Sequence, residues 1–84
     1  MKVYFHKNFE KQLHRLPGNI QDKFFERLSL FINEPANSLL RIHTLHGDKF
    51  PYESMNVNSD YRALFIQSKT EVTFYEIGTH SELY

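Results

Sequence analysis

The feature that most constrains this chain is a change of apolar period near Pro35. Before it, Phe9, Leu13 and Leu16 follow i, i+4, i+7 spacing, and Ile20, Phe24, Leu28, Phe31 and Ile32 make a second stripe of about three turns. Pro17-Gly18 separates the two stripes, so they read as two amphipathic helices joined by a tight turn, an αα-hairpin. Asn8 is the expected N-cap of the first helix. Asn19, with Asp22 three residues on, is the expected cap of the second, and Pro35 stops that helix at Asn33 or Glu34.

Beyond residue 50 the period falls to two. Residues 51–57, Tyr61–Gln67 and Glu71–Ile77 read as three strands separated by Asn58-Ser59-Asp60 and Ser68-Lys69-Thr70. Tyr61–Gln67 is apolar on both faces and is therefore expected in the middle of the sheet. In the last strand, alternation groups Val72, Phe74 and Glu76 on one face and Tyr75 and Ile77 on the other. Lys2–Phe5 reads as an opening strand. Residues 35–50 form a long connection anchored by Leu39, Leu40, Ile42 and Leu45, with a turn at Gly47-Asp48. Short hairpin loops imply an antiparallel meander. The expected fold is α+β in two layers: an N-terminal strand and an αα-hairpin packed on an antiparallel sheet, in the order β-α-α-β-β-β. Phe9, Leu13, Phe24, Leu28, Phe31, Leu64 and Phe74 should be buried.

Composition narrows the class further. At 84 residues, 1–84 reads as a single domain, and eight Phe with five Tyr supply its core and exclude disorder. Without Cys there is neither a disulfide framework nor a thiolate metal site. No Gly-rich phosphate loop or His-Glu-x-x-His motif occurs, and neither a metal nor a cofactor is expected. No apolar run approaches the ~20 residues of a membrane helix, and the start of the chain lacks a cleavable leader pattern, so the expectation is a cytoplasmic protein with no membrane partner. Ten basic and ten acidic residues cancel overall, yet residues 1–42 carry a net +3 (seven against four) and residues 43–84 a net −3 (three against six). This balance neither demands nor excludes a nucleic-acid partner.

Four segments carry a family likeness: Phe9-Glu10-Lys11-Gln12-Leu13 with Leu16-Pro17, Arg41 to Gly47, Ser59-Asp60-Tyr61-Arg62-Ala63-Leu64-Phe65, and Ile77-Gly78-Thr79-His80-Ser81-Glu82-Leu83-Tyr84. In that order and spacing the chain resembles the RelE/ParE toxin superfamily, in particular its YafQ-like branch with a Gly-Thr-His-x-x-Leu-aromatic tail. The resemblance implies the toxin of a type II toxin–antitoxin operon, neutralised by a cognate antitoxin; the apolar content of so small a chain predicts an uncovered patch on which an extended or helical antitoxin segment lies across the helical hairpin and sheet edge. It also implies ribosome-dependent mRNA cleavage, with ribosome and mRNA as further partners. The alternatives are ParE-like inhibition of DNA gyrase, or a degenerate toxin kept for antitoxin binding.

Residue by residue, the resemblance assigns His43, Asp60 and His80 to catalysis, and Tyr61 and Tyr84 to the aromatic positions beside them. Two positions depart from the pattern: Asn56 stands where a second His is expected, and Glu76 where an Arg is expected. The loss of that Arg removes positive charge where a pentavalent phosphate needs it, and Arg62 and Lys49 are the cations left to contact substrate. Read from the residues alone, RNA cleavage without a metal needs an acid and a base, and imidazole is the natural group for both at neutral pH. Of the five His, His6 and His14 read as ordinary surface residues and His46 as solvated. Asp60 could serve its own turn, and Arg62 could pair with Asp60, Glu76 or a phosphate.

Overall fold

The computed structural model describes all 84 residues. Its elements are β1 (Lys2–Phe5), α1 (Lys7–His14), α2 (Gly18–Asn33), β2 (His43–Thr44), β3 (Glu53–Asn56), β4 (Tyr61–Gln67), β5 (Glu71–Thr79) and α3 (His80–Leu83). The strands form one five-stranded sheet in the order β1-β5-β4-β3-β2. The meander β2 to β5 is antiparallel, as short turns require, and β4 lies at its centre. β1 joins at the edge and runs parallel to β5, pairing Phe5 with Phe74, so the complete sheet is mixed. The two helices lie between β1 and the meander in sequence, which allows the chain to return for a parallel pairing.

Both helices cover one face of this sheet. Phe9 from α1 and Ile20, Phe24, Leu28 and Phe31 from α2 form a single core with Met55, Ala63, Phe65, Val72 and Phe74. Of the residues expected inside, Leu13 is only half-buried at the margin of that core. Ile32 departs from its stripe and is 46% exposed. Leu64 is buried on the opposite face, in a small second cluster with Leu45 and Leu83. Both faces of β4 are thus covered, as its sequence requires.

The helix caps differ from expectation. α1 starts two residues earlier, and the Nδ1 of His6 accepts a hydrogen bond from the Asn8 N–H at 3.1 Å, so His6 is the cap and Asn8 is already helical. α2 starts at Gly18 behind Pro17 with no side-chain cap, which leaves Asn19 inside the first turn. The fixed φ of Pro17 (−54°) suits a helix start, and its missing N–H needs no partner there. The long connection also contains more order than expected: 3-10 turns at Ser38–Leu40 and Gly47–Lys49 flank the two-residue edge strand β2.

One irregularity overturns the strict alternation expected of β5. Leu64 pairs with Glu76 but Phe65 pairs with Phe74, so Tyr75 is an extra residue, a bulge. Past the bulge the faces exchange. Ile77 therefore joins Val72 and Phe74 in the main core, and Glu76 turns to the face that α1 and α2 leave free. The Ile77 N–H donates to the Gln12 side-chain oxygen of α1 at 2.8 Å, which ties the bulge to the helical layer.

Candidate functional site

The face that α1 and α2 leave free, on which the single turn α3 packs, is built from cross-strand neighbours. His43 pairs with Ser54, Ser54 with Leu64 and Leu64 with Glu76, forming one row across β2, β3, β4 and β5. Directly paired residues point to the same side of a sheet, so His43 and Glu76 mark the two ends of this row. A second row, Asn56, Arg62 and Gly78, lies two residues away.

Ser54 is the one fully buried polar side chain, and the Tyr84 hydroxyl donates to its Oγ at 2.9 Å. Tyr84 reaches it from the end of α3, whose first residue is His80. The His80 and Tyr84 rings meet edge to face, 4.5 Å apart. α3 is a single turn held by a reciprocal capping box: the Thr79 N–H donates to Glu82 Oε1 at 2.7 Å, and the Glu82 N–H to Thr79 Oγ1 at 3.3 Å. The bond from the Thr79 backbone, and then that from its side chain, hold the Glu82 carboxyl below its ordinary value. Thr79-x-x-Glu82 is a capping signature legible in the sequence, and it turns what reads as a strand-end tail into a helix.

The β4–β5 hairpin brings Asp60, Tyr61 and His80 together. The His80 N–H donates to the Asp60 carbonyl at 3.1 Å, and these residues with Ser59, Thr79 and Ser81 line a hollow of about 420 Å³ at the end of the sheet. The turn-stabilising role considered for Asp60 belongs to Asn58, whose side-chain oxygen accepts from the N–H groups of Asp60 and Tyr61. The Asp60 side chain is left exposed. Tyr61 stands at the edge of the main core while also lining the hollow.

His43 is exposed, and its Nδ1 lies 3.0 Å from the Arg41 carbonyl. A carbonyl only accepts, so this contact places a proton on Nδ1, and in the neutral tautomer Nε2 is then the acceptor. The structure therefore offers two accessible imidazoles, His43 cross-strand from Ser54 and His80 edge-on to the Tyr84 ring whose hydroxyl reaches Ser54. Such a pair can take and give protons, with aromatic rings beside them for stacking.

The two candidate cations are placed differently. Lys49 forms an ion pair with Glu76 at 3.7 Å, on the same face as His43. Arg62 pairs with neither Asp60 nor Glu76. Its Nη1 donates to the carbonyls of Asn58 (3.0 Å), Tyr61 (3.2 Å) and Ser59 (3.3 Å), and its side chain lines a separate hollow with Arg27 and Arg41. Reading the sequence by motif misses Arg27 and Arg41, because α2 and the 35–50 connection converge there only in three dimensions. No group of three or more His, Asp or Glu side chains is arranged as a metal donor set, and no helix is long and apolar enough to cross a membrane.

No family model matches the chain, and no curated protein matches it in sequence. Its fold has solved counterparts. It is similar to the crystal structure of YafQ from Escherichia coli strain BL21(DE3), with a TM-score of 0.83 and 18% identity over 99% of this chain and 97% of that one. In the E. coli DinJ-YafQ toxin–antitoxin complex the corresponding figures are 0.80, 18%, 99% and 96%. A third match, in the RelBE2 toxin–antitoxin complex from Mycobacterium tuberculosis, has a TM-score of 0.77 and 21% identity, covering 94% of this chain and 96% of that one. The chain thus has the fold of RelE/ParE toxins over nearly its whole length.

Proposed function

We propose that this chain is the toxin half of a toxin–antitoxin pair and that it arrests growth by cutting mRNA on the ribosome. The observation that carries the reading is the face that α1 and α2 leave free, where His43 and His80 flank the Tyr84–Ser54 hydroxyl pair in a YafQ-like fold. In the proposed step the 2′-oxygen attacks the adjacent phosphorus and the bond to the 5′-oxygen breaks. His43 takes the 2′-hydroxyl proton on Nε2, and His80 delivers a proton to the departing 5′-oxygen. Asp60 orients His80, Tyr61 and Tyr84 stack on bases, and Lys49 and Arg62 meet phosphates.

General acid–base steps contribute about 10²–10⁴-fold each. The His43→Ala/His80→Ala double variant should therefore no longer arrest growth on induction, while keeping its fold and antitoxin affinity. New mRNA ends mapped after brief induction of the wild type should vanish with it. Undiminished arrest by the double variant would overturn the nuclease reading.

The Lys49–Glu76 ion pair favours a second reading. With Glu76 where the family pattern has Arg, Lys49 is neutralised. A toxin of that kind would act by binding alone, as a gyrase inhibitor of the ParE type or as a non-catalytic antitoxin ligand. Gyrase supercoiling measured alongside the mRNA ends separates the first of these from cleavage.

The proposed antitoxin has apolar surface to cover. Phe25 and Ile32 on the outside of α2 and Tyr4 on edge strand β1 are all at least 46% exposed. A purified chain whose thermal midpoint does not rise with the protein of the neighbouring reading frame would refute the pairing.

A further inference from the structure

Ten cations and ten carboxylates cancel over the chain, yet three arginines gather around a hollow whose lining holds no acidic residue. Arg27 of α2, Arg41 after the Ser38–Leu40 turn and Arg62 of β4 line one hollow of about 570 Å³. The ion pairs of the molecule are Lys23–Glu26 and Lys49–Glu76, so none of the three guanidiniums is neutralised. Two are held in place by backbone carbonyls: Arg27 Nε donates to Val57 at 3.4 Å, and Arg62 Nη1 to the β3–β4 turn. Both nevertheless keep unpaired N–H groups, since a guanidinium carries five. The Arg41 side chain makes no hydrogen bond at all. Arg41 is also the one non-glycine residue at positive φ (45°), a backbone strain that a residue tolerates when its surroundings or its task require it.

We propose that this hollow binds the backbone phosphates of single-stranded RNA that flank the bond being cut. The inference rests on the nuclease reading and adds Arg27 and Arg41 to the residues that hold substrate. Three features favour a phosphodiester ligand over an acidic protein segment. Three planar forks suit phosphate oxygens, which they can grip in pairs. Asn56, Asn58, Ser38 and Ser59 complete a polar lining in which Leu39 and Val57 are the apolar members, leaving little to anchor a peptide side chain. Finally, Ser59 belongs both to this hollow and to the one lined by Asp60 and His80, so a single strand can pass from one to the other.

The test is binding of a fluorescently labelled single-stranded RNA oligomer to the purified full chain, across a salt series and without ribosomes. Each phosphate contact to a single strand adds about 0.7 to the slope of log affinity against log salt. Arg27→Gln/Arg41→Gln should weaken binding about tenfold or more and lower that slope by about 1.4. Arg41→Gln alone guards against misfolding, because its side chain bonds nothing within the protein; it should lose about half of the slope change, and Arg41→Lys should restore most of it. Wild-type affinity and slope in the double arginine variant would overturn the proposal. So would arginine-dependent binding of an acidic peptide with no binding of RNA, which would assign the hollow to a protein partner. If RNA binding depends on the arginines but no mRNA is cut in cells, the hollow stands as an RNA-phosphate site and the nuclease reading falls.

Discussion

At the scale of single residues, the Tyr84–Ser54 contact links site geometry to stability. Ser54 is fully buried, and its one side-chain partner is the Tyr84 hydroxyl. Removing one partner of a buried hydrogen bond costs more than removing both. Tyr84→Phe should therefore destabilise the protein by about 1–2 kcal/mol, and adding Ser54→Ala should recover most of that loss. Additive losses in a urea-denaturation double-mutant cycle would show that the two hydroxyls do not depend on each other. Arg41 makes the opposite prediction. Glycine relieves the left-handed backbone, so Arg41→Gly should leave stability unchanged or raise it by up to about 1 kcal/mol while losing RNA affinity. His43, Asp60 and His80 were legible as motif positions because each lies in a short recognisable segment. Ser54 and the destination of the Arg62 guanidinium were not, because a serine in a strand looks alike whether or not a tyrosine arrives thirty residues later.

At the scale of elements, two small devices set the site, and they differ in legibility. The capping box of α3 is written in Thr79 and Glu82. Gly78 belongs to it as well, since a Cβ there would come within 3.1 Å of Glu82 Oε1 and 3.5 Å of Leu83 Cδ2. Thr79→Ala should cost about 1 kcal/mol of helix stability and loosen Tyr84 from Ser54. The carboxyl of Glu82 is held below its ordinary 4.5 in the folded chain. Its contribution is therefore fully present above that value and is lost as pH falls through the lowered one. Order in α3, followed by NMR of the His80 and Tyr84 rings, should decay with acid in the wild type. In Glu82→Gln that part of the pH dependence should be absent, and an unchanged acid profile would contradict it. The β5 bulge, by contrast, leaves only a faint mark in the sequence. Strict alternation puts the charged Glu76 on the apolar face of Val72 and Phe74, and only the pairing register reveals that Tyr75 is extra. Gln12, which accepts the freed Ile77 N–H, reads as an ordinary polar residue of α1. Gln12→Leu should cost about 1–3 kcal/mol, the penalty of a buried donor left unpaired; a change within a few tenths would show that the bulge is not held by α1.

At the scale of the whole molecule, the aromatic content divides between a core and a surface, and sequence periodicity drew that division nearly correctly. The stripe of α2 was legible up to Phe31. It failed at Ile32, which at about 100° per residue lies at the margin of the stripe drawn by Ile20, Phe24, Leu28 and Phe31. The parallel seat of β1 was not legible, because it depends on which edge the chain reaches after two helices. That seat brings Phe5 to within 6.0 Å of the Phe74 ring, where Phe9, Phe24 and Phe65 also converge at 5.6, 5.2 and 5.4 Å. Phe74 thus joins β1, both helices and the meander. Truncating a buried Phe costs about 3–5 kcal/mol, against a total of about 5–15 kcal/mol for a domain of this kind. Phe74→Ala should then remove most of the margin and lower the urea midpoint sharply. Phe25, one position along α2 from Phe24, is 48% exposed and touches Phe5 and Phe24 only edge-on. Phe25→Ala should cost no more than about 1 kcal/mol, with its larger effect on the thermal stabilisation by the proposed antitoxin. Comparable losses from the two substitutions would mean that Phe25 is part of the core and that α2 presents no apolar outer face for a partner.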